Sequence, residues 1–349
     1  MSFDAAAVPH AATSPIFYTV TNNRYFPGTV ATLSSIRRFY PDEPIYVFPE
    51  TRWALTACQI EHLRRLKGVN LILPADLPIG TVREAFQLKA HAACFLGRNG
   101  HRCVIQVDSD AVICSRLDAI AEQVTSCGLP AGGKDLDERY DLTKYAPYFA
   151  LCKTTPADLR KTTSPYISTS IFFLPAAQMQ EILELWSHAV DEAHFGPKDR
   201  PRKIYAGYSD QGIFNALLYF KGITPIALDN HLVSQHWKHG RDKIELREGV
   251  FWNGDRQQLA FHSVGDAPKF WTPQYVGFVA AKAGNLDDVY RYWLSNLFDG
   301  PCGLLHSASL TGLEERQKDY FPAGLPHLFR EYQARLEPQP AVGSATALE

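Results

Sequence analysis

The segment "HRCVIQVDSDAVICSRLD" (residues 101–118) decides how this chain is read. Residues 103–107, CVIQV, are apolar and β-branched but for one glutamine, the composition of a strand buried on both faces. The run stops at Asp108-Ser109-Asp110. Two carboxylates one residue apart repel each other unless positive charge lies between them. A hard divalent cation supplies that charge and takes carboxylate oxygens. In sheets flanked by helices, the strand end is also where the ligand crevice opens. The plainer alternative is that both aspartates cap the turn and helix that follow, with Ser115 and Asp118 nearby. A second Asp-x-Asp, Asp135-Leu136-Asp137, sits in a polar stretch, so spacing alone does not mark a site.

Outward from this segment, the first 130 residues alternate in period. IFYTV (16–20), IYVF (45–48) and VNLIL (69–73) read as strands beside CVIQV, and helix-compatible stretches lie near 28–39, 54–66 and 82–97. Strand and helix in alternation predict an α/β domain with a largely parallel sheet. Residues 129–165, rich in glycine, charge and tyrosine, break the rhythm and read as a long ordered loop or lid. A strand over 166–174 follows, then an amphipathic helix with Met179, Ile182, Leu183, Trp186, Ala189 and Val190 on one face. SDQGIFNALLYF (209–220) reads as another helix and QLAFH as a strand ending at His262. The boundaries expected are an extension at 1–14, the main α/β domain at 15–280, a helical segment at 281–336 and a disordered tail at 337–349.

The chain has 349 residues, 46% hydrophobic and 21% charged, with a formal charge of −2. That is ordinary globular composition, and it gives a nucleic-acid partner no bulk electrostatic support. Seven cysteines, at 58, 94, 103, 114, 127, 152 and 302, stand singly with no CxxC pair, which reads as reduced thiols in a cytoplasmic protein. The N-terminal MSFDAAAVPHAATSP lacks the basic start and apolar core of a secretory signal. The C-terminal VYRYWLSNLF and LPHLFREYQARL mix aromatics with arginine. They read first as amphipathic helices on their own domain and second as a peripheral membrane contact. HLVSQHWKHGRDK (231–243) reads as a solvated loop before a second metal site.

Four motifs in order resemble the retaining glycosyltransferases of GT-A fold related to glycogenin and the bacterial galactosyltransferases, family GT8. YTVTNNRYFPGTVATLSSI (18–36) is similar to the family's opening strand and nucleotide-binding turn, and Thr21, Asn22 and Tyr25 match positions that hold uridine. There is no P-loop or GxGxxG, so nucleotide binding needs another device. REAFQLKAHAACF (83–95) resembles the helix carrying a basic residue towards the donor, at Lys89. The strand end matches the family's metal motif, with Ser109 on the donor side of Asp108 and Asp110. YSDQGIFNALL (208–218) and FHSVGDAPKFW (261–271) complete the set. The resemblance implies that His262 is the third metal ligand, that Lys269 holds the departing diphosphate, that Gly265 is a donor-binding position, that Asp210 grips sugar hydroxyls and that Gln211 lies beneath the anomeric carbon. Asp135 matches a family aspartate near the donor sugar.

Two departures stand out. Ser168 and Ser170 replace an amide and a glycine of the family, and the closing lysine comes seven rather than six residues beyond His262. The implied activity is metal-dependent hexosyl transfer from a UDP-sugar to a carbohydrate, glycolipid or protein acceptor, with retention. An O,O,N ligand set suits Mn²⁺ better than Mg²⁺. The other classes are a metal-dependent nucleotidyl or phosphoryl transferase and a sugar-nucleotide-binding protein without turnover.

Overall fold

The structure, a computed structural model, describes residues 15–77, 84–134, 165–195, 209–229, 244–263, 269–281, 286–321 and 324–336. Strand β1 (Ile16–Thr21) leads to α1 (Phe26–Phe39), β2 (Ile45–Pro49), α2 (Ala57–Arg65), β3 (Val69–Leu71), α3 (Ala85–Arg98) and β4 (Val104–Val107). Then come β5 (Ala111–Ile113), α4 (Asp118–Cys127), β6 (Ala131–Lys134), β7 (Ile167–Leu174), α5 (Gln180–Phe195), α6 (Ser209–Phe220) and β8 (Ile226–Leu228). Three short strands, β9 (Ile244–Arg247), β10 (Val250–Asn253) and β11 (Arg256–Gln257), make an antiparallel meander before β12 (Ala260–His262). The chain continues as α7 (Pro273–Ala281), α8 (Leu286–Phe298), α9 (Leu310–Glu315), α10 (Gln317–Tyr320) and α11 (Pro326–Leu336).

The central sheet has the order β3-β2-β1-β4-β7-β6-β8. Strands β3, β2, β1 and β4 run parallel, β7 is antiparallel to both its neighbours, and β8 is parallel to β6. The carboxyl ends of β1, β2 and β4 therefore meet at one edge. Alternating side chains feed two cores: Phe17, Val47 and Ile105 face α1 and α8, while Tyr18, Phe48 and Val104 face α3, α5 and α6. This two-sided burial is why the strands read as continuous apolar runs.

Local chemistry sets the helices that matter. Pro27 in the first turn of α1 fits its fixed φ to the helix start, and Arg37 and Arg38 in the last turn complement the helix dipole. Thr56 and Gln59 form a reciprocal capping box on α2.

The expected loop over 129–165 is corrected at its start, because residues 131–134 are an interior strand. "AGGK" lacks the β-branched signature, but tertiary contact overrides propensity. A Cβ at Gly132 would lie 2.5 Å from the Ser168 carbonyl, so only glycine lets β6 come this close to β7. Residues 135–164 of that stretch, Asp135 included, lie outside the described residues, as do Gly265, residues 231–243 and both termini.

The C-terminal helices bury their apolar faces against α1 and the sheet. Trp293 stacks on Phe270 (5.6 Å, 14°) and on Tyr290 (6.1 Å, 4°), and the Tyr292 hydroxyl donates to the Ile113 carbonyl at 2.7 Å. Among the described residues no helix is long and apolar enough to cross a membrane. All six described cysteines are free thiols.

His62 on α2 ties this C-terminal part to the domain. In its neutral form Nε2–H donates to the Cys302 carbonyl at 3.0 Å, and Nδ1 accepts from the Ser307 hydroxyl at 2.6 Å. Burial pushes the imidazole down to about 4. As pH falls, the unfolded chain therefore takes up the proton first. The stability held by neutral His62 is complete above the ordinary value of 6.5 and is lost between there and about 4. His62→Gln should flatten that part of the curve: calorimetry from pH 7.5 to 4.5 should show the gap in Tm between wild type and variant narrowing. A gap of constant size contradicts this.

Candidate active site

The Asp-x-Asp turn is fixed by backbone before any side chain acts. Asp108 N donates to Ser170 O at 2.8 Å, extending the β4–β7 ladder by one step, and Ala111 N donates to Asp108 O at 2.9 Å, closing the turn. The chain then enters β5 rather than a helix, so the aspartates are not helix caps. β5 pairs antiparallel with β12, setting Ala111 opposite His262, and Ser263 N donates to Asp110 O at 2.9 Å. This two-stranded ladder carries His262 to Asp110 from 152 residues away.

Helix α1 supports the turn from behind. Thr32 Oγ1 donates to Ala111 O at 2.6 Å, and a Cβ on Gly28 would lie 2.0 Å from the Ser109 carbonyl. No side chain fits there without moving either helix or turn. Ser109, matched to the donor side by sequence, is buried in this contact.

Two cations reach the turn from opposite sides. Lys89 of α3, its side chain 11% exposed, lies 2.9 Å from Asp108 Oδ1 and 3.1 Å from Asp210 Oδ2, and donates to Thr169 O at 3.3 Å. Burial alone would lower the Lys89 ammonium's pKa, but Asp108 and Asp210 outweigh burial and raise it, so it stays charged. Lys269 lies 2.5 Å from Asp110 Oδ2 and 2.5 Å from Ser263 O. Its pKa is raised too: burial opposes the charge, and Asp110 more than restores it.

Asp110 is the most enclosed of these carboxylates, its side chain 8% exposed. Its Oδ1 lies 3.0 Å from His262 Nε2, which is also 3.6 Å from Asp108 Oδ2. Burial would push the Asp110 carboxyl up, yet His262 and then Lys269 hold it well below the usual carboxylate range. One ligand atom each from Asp108, Asp110 and His262 lies within 4.8 Å of the others. His262 Nε2 faces the carboxylates, while its Nδ1 is buried without a hydrogen-bond partner among the described residues, so packing and Asp110 orient the ring.

The first turn of α6 is stitched onto β7. The Gln211 side-chain carbonyl accepts from Thr169 N at 3.1 Å, Asp210 Oδ2 accepts from Thr169 Oγ1 at 3.3 Å, and the Trp186 indole donates to Asp210 O at 3.0 Å. Asn215 completes the join, bonding both backbone groups of Ile167 at 2.9 and 2.8 Å. Asp210 and Gln211 thus sit beside Lys89 and Asp108, far from them in sequence. The departures Ser168 and Ser170 are buried and pair hydroxyl to hydroxyl at 2.8 Å.

At the end of β1, the Thr21 hydroxyl bonds that of Thr29. Asn22 is used by its own turn: Oδ1 accepts from Arg24 N (2.9 Å) and Tyr25 N (3.0 Å), and Nδ2 donates to Glu50 Oε1 (2.8 Å). Such an Asx turn shapes the loop. Tyr25 meets Trp271 edge-on at 5.3 Å, and the Lys269 ammonium lies 5.8 Å from the Tyr25 ring centre. Burial, then the Asp110 carboxylate, raise the pKa of the Tyr25 hydroxyl.

The structure therefore gathers Asp108, Asp110, His262, Lys89, Asp210, Gln211, Lys269 and Tyr25 at one sheet edge, with Thr21 and Asn22 at the neighbouring strand end. Sequence reasoning missed Gln106, whose amide donates to Asp108 Oδ1 at 2.7 Å, and Thr169, Glu50, Ser263 and Trp271. Gln106 carried a usable signal, a lone polar residue inside an apolar strand.

No protein-family profile matches the chain, and no curated protein matches its sequence. Solved structures do match. The galactosyltransferase LgtC in complex with donor and acceptor sugar analogues aligns at 12% identity over 79% of this chain and 95% of its own, with a TM-score of 0.50. An active-site mutant of LgtC aligns at 12% identity over 80% of this chain and 99% of its own, again with a TM-score of 0.50. Likeness at this identity shows the fold: the chain has the mixed, mostly parallel GT-A architecture.

Lys89 offers a direct check on the charge arrangement. Lys89→Met leaves Asp108 and Asp210 without their shared cation, and removing one partner of a buried pair costs about 3 kcal/mol or more. Urea unfolding should show that loss. A variant within about 1 kcal/mol of wild type, inside the range of exposed pairs, contradicts a buried role.

Proposed function

We propose that this chain is a metal-dependent glycosyltransferase that moves a hexose from a UDP-sugar to an acceptor hydroxyl with retention of anomeric configuration. One observation carries the reading. Two carboxylates and an imidazole nitrogen converge within 4.8 Å at the carboxyl ends of parallel strands, where open α/β sheets bind ligands. The GT-A architecture and the donor and acceptor analogues in the LgtC complex support it.

The donor set fits a divalent ion: Asp108 and Asp110 supply hard oxygens and His262 a borderline nitrogen, a mixture that favours Mn²⁺ over Mg²⁺. Bound there, the ion supplies Lewis-acid stabilisation of the negative charge that grows on a departing diphosphate. The chain's residues do the rest. Lys269, paired with Asp110, is a second positive charge at the same place for that developing charge. Lys89 holds Asp108 and Asp210 in register, so that Asp210 presents a carboxylate to sugar hydroxyls. Thr21, Asn22 and Tyr25 form the base-side wall, with Ser109, Gly265 and Asp135 assigned to the donor by resemblance.

Retention by a covalent intermediate requires a nucleophile beneath the anomeric carbon. Gln211 holds that position in this reading and is a neutral amide, a poor nucleophile. Its carbonyl is already engaged by Thr169 N. Front-face attack, with the leaving phosphate accepting the acceptor's proton, follows. Residues 15–280 form the catalytic domain in this reading and 281–336 a helical segment packed on it. The acceptor is a carbohydrate, glycolipid or protein, and the setting is cytoplasmic.

A UDP-release screen over a panel of UDP-sugars should show turnover of a restricted set, abolished by chelation and restored by Mn²⁺. Release of pyrophosphate in place of UDP would move the protein to another class of transferase. In the same assay Asp110→Ala should remove donor cleavage, whereas Gln211→Ala should retain measurable activity. Equal and complete loss in both variants argues against front-face attack.

A further inference from the structure

Both oxygens of Asp110 are engaged within the chain. Oδ1 lies 3.0 Å from His262 Nε2 and Oδ2 lies 2.5 Å from the Lys269 ammonium. Lys269 is also held from behind, donating to the Ser263 carbonyl at 2.5 Å, and Ser263 N is bonded to the Asp110 carbonyl. The lysine, 18% exposed, and the aspartate thus form a compact unit whose charges cancel. Lys89 contacts Asp108 differently. It has a second carboxylate, Asp210, and a carbonyl to keep it in place whatever happens at Asp108. Among the described residues Lys269 is ion-paired to one carboxylate, that of Asp110, the more buried of the two aspartates offered to a cation.

We infer that Lys269 competes with the divalent cation for Asp110, so that the ion enters by displacing the ammonium and the donor's diphosphate then takes the released lysine as its partner. This rests on the proposed function and adds an order of events to it. An ion beside His262 Nε2 at Asp110 Oδ1 and an ammonium at Oδ2 of the same carboxylate repel each other and divide its charge. Entry of the ion alone sacrifices the Lys269–Asp110 pair. Entry together with a diphosphate gives the ammonium two phosphate charges in exchange for one carboxylate. Cation alone therefore binds weakly and cation with nucleotide binds well, and by linkage the nucleotide is favoured equally by the cation. The position of the lysine, seven residues beyond His262, lets it reach back to the carboxylate.

Two measurements test this. In the first, Lys269 of the wild-type chain is acetylated with limiting acetic anhydride and its modification read by mass spectrometry. Reaction should be slow without additions, faster with Mn²⁺ alone and slow again with Mn²⁺ plus UDP. In the second, calorimetric titration with Mn²⁺ alone should show Lys269→Met binding the ion about tenfold more tightly than wild type, the equivalent of one partly buried ion pair. UDP affinity of the same variant in the presence of Mn²⁺ should fall. Mn²⁺ binding with no change in Lys269 reactivity, or equal Mn²⁺ affinity in both proteins, overturns the competition and leaves the proposed function standing. Failure of both proteins to bind Mn²⁺, even with UDP present, removes both.

Discussion

Two carboxylates separated by one residue cannot share a buried strand end unless positive charge reaches both, and the architecture around residues 108–110 answers that requirement. Lys89 comes from the helix ahead of β4, and His262 and Lys269 come from the far end of the domain. Each arrives by a different route: α3 packs on one face of the sheet, the short β5–β12 ladder delivers the histidine, and the aromatic layer of Phe270, Trp271, Tyr275 and Trp293 holds the segment that carries the second lysine. The charges are balanced by the fold as a whole and not by neighbours in sequence.

That balance explains why the site is backed by such tight packing. Gly28 admits α1 to the Ser109 carbonyl, and Gly132 admits β6 to β7 at the strand that carries Thr169. Thr169 is a junction: its carbonyl meets Lys89, its hydroxyl Asp210 and its N–H Gln211. One β7 residue thus sets the spacing between Lys89, with Asp108 beyond it, and the Asp210 carboxylate and Gln211 amide. Buried polar networks of this kind hold one arrangement firmly, because each unsatisfied member would be costly.

Much of this was legible in the sequence. The four parallel strands were written in short apolar runs, and α5 was readable from its periodicity. The fold expected from the four motifs is the one the structure has. What escaped has a common cause. Strand β6, with two adjacent glycines, is specified by what it touches, and a chain read linearly contains no record of the Ser168 carbonyl. The β9–β11 meander is short and partly exposed, so its alternation is faint. Asn22 matches a base-side position by sequence, and the structure adds that its amide also braces the backbone of its own turn and Glu50. The spacing of a motif says which residues gather, and not which of their atoms are already bonded.

The central claim is that a divalent cation is held by two aspartate oxygens and one imidazole nitrogen. Pulsed electron paramagnetic resonance of the Mn²⁺-loaded protein reads this directly, since a coordinated nitrogen modulates the electron spin echo. Asp108, Asp110 and His262 as ligands predict a coupling from one ¹⁴N nucleus that disappears in His262→Ala. A Mn²⁺ spectrum without nitrogen coupling, or one that His262→Ala leaves unchanged, would contradict the account.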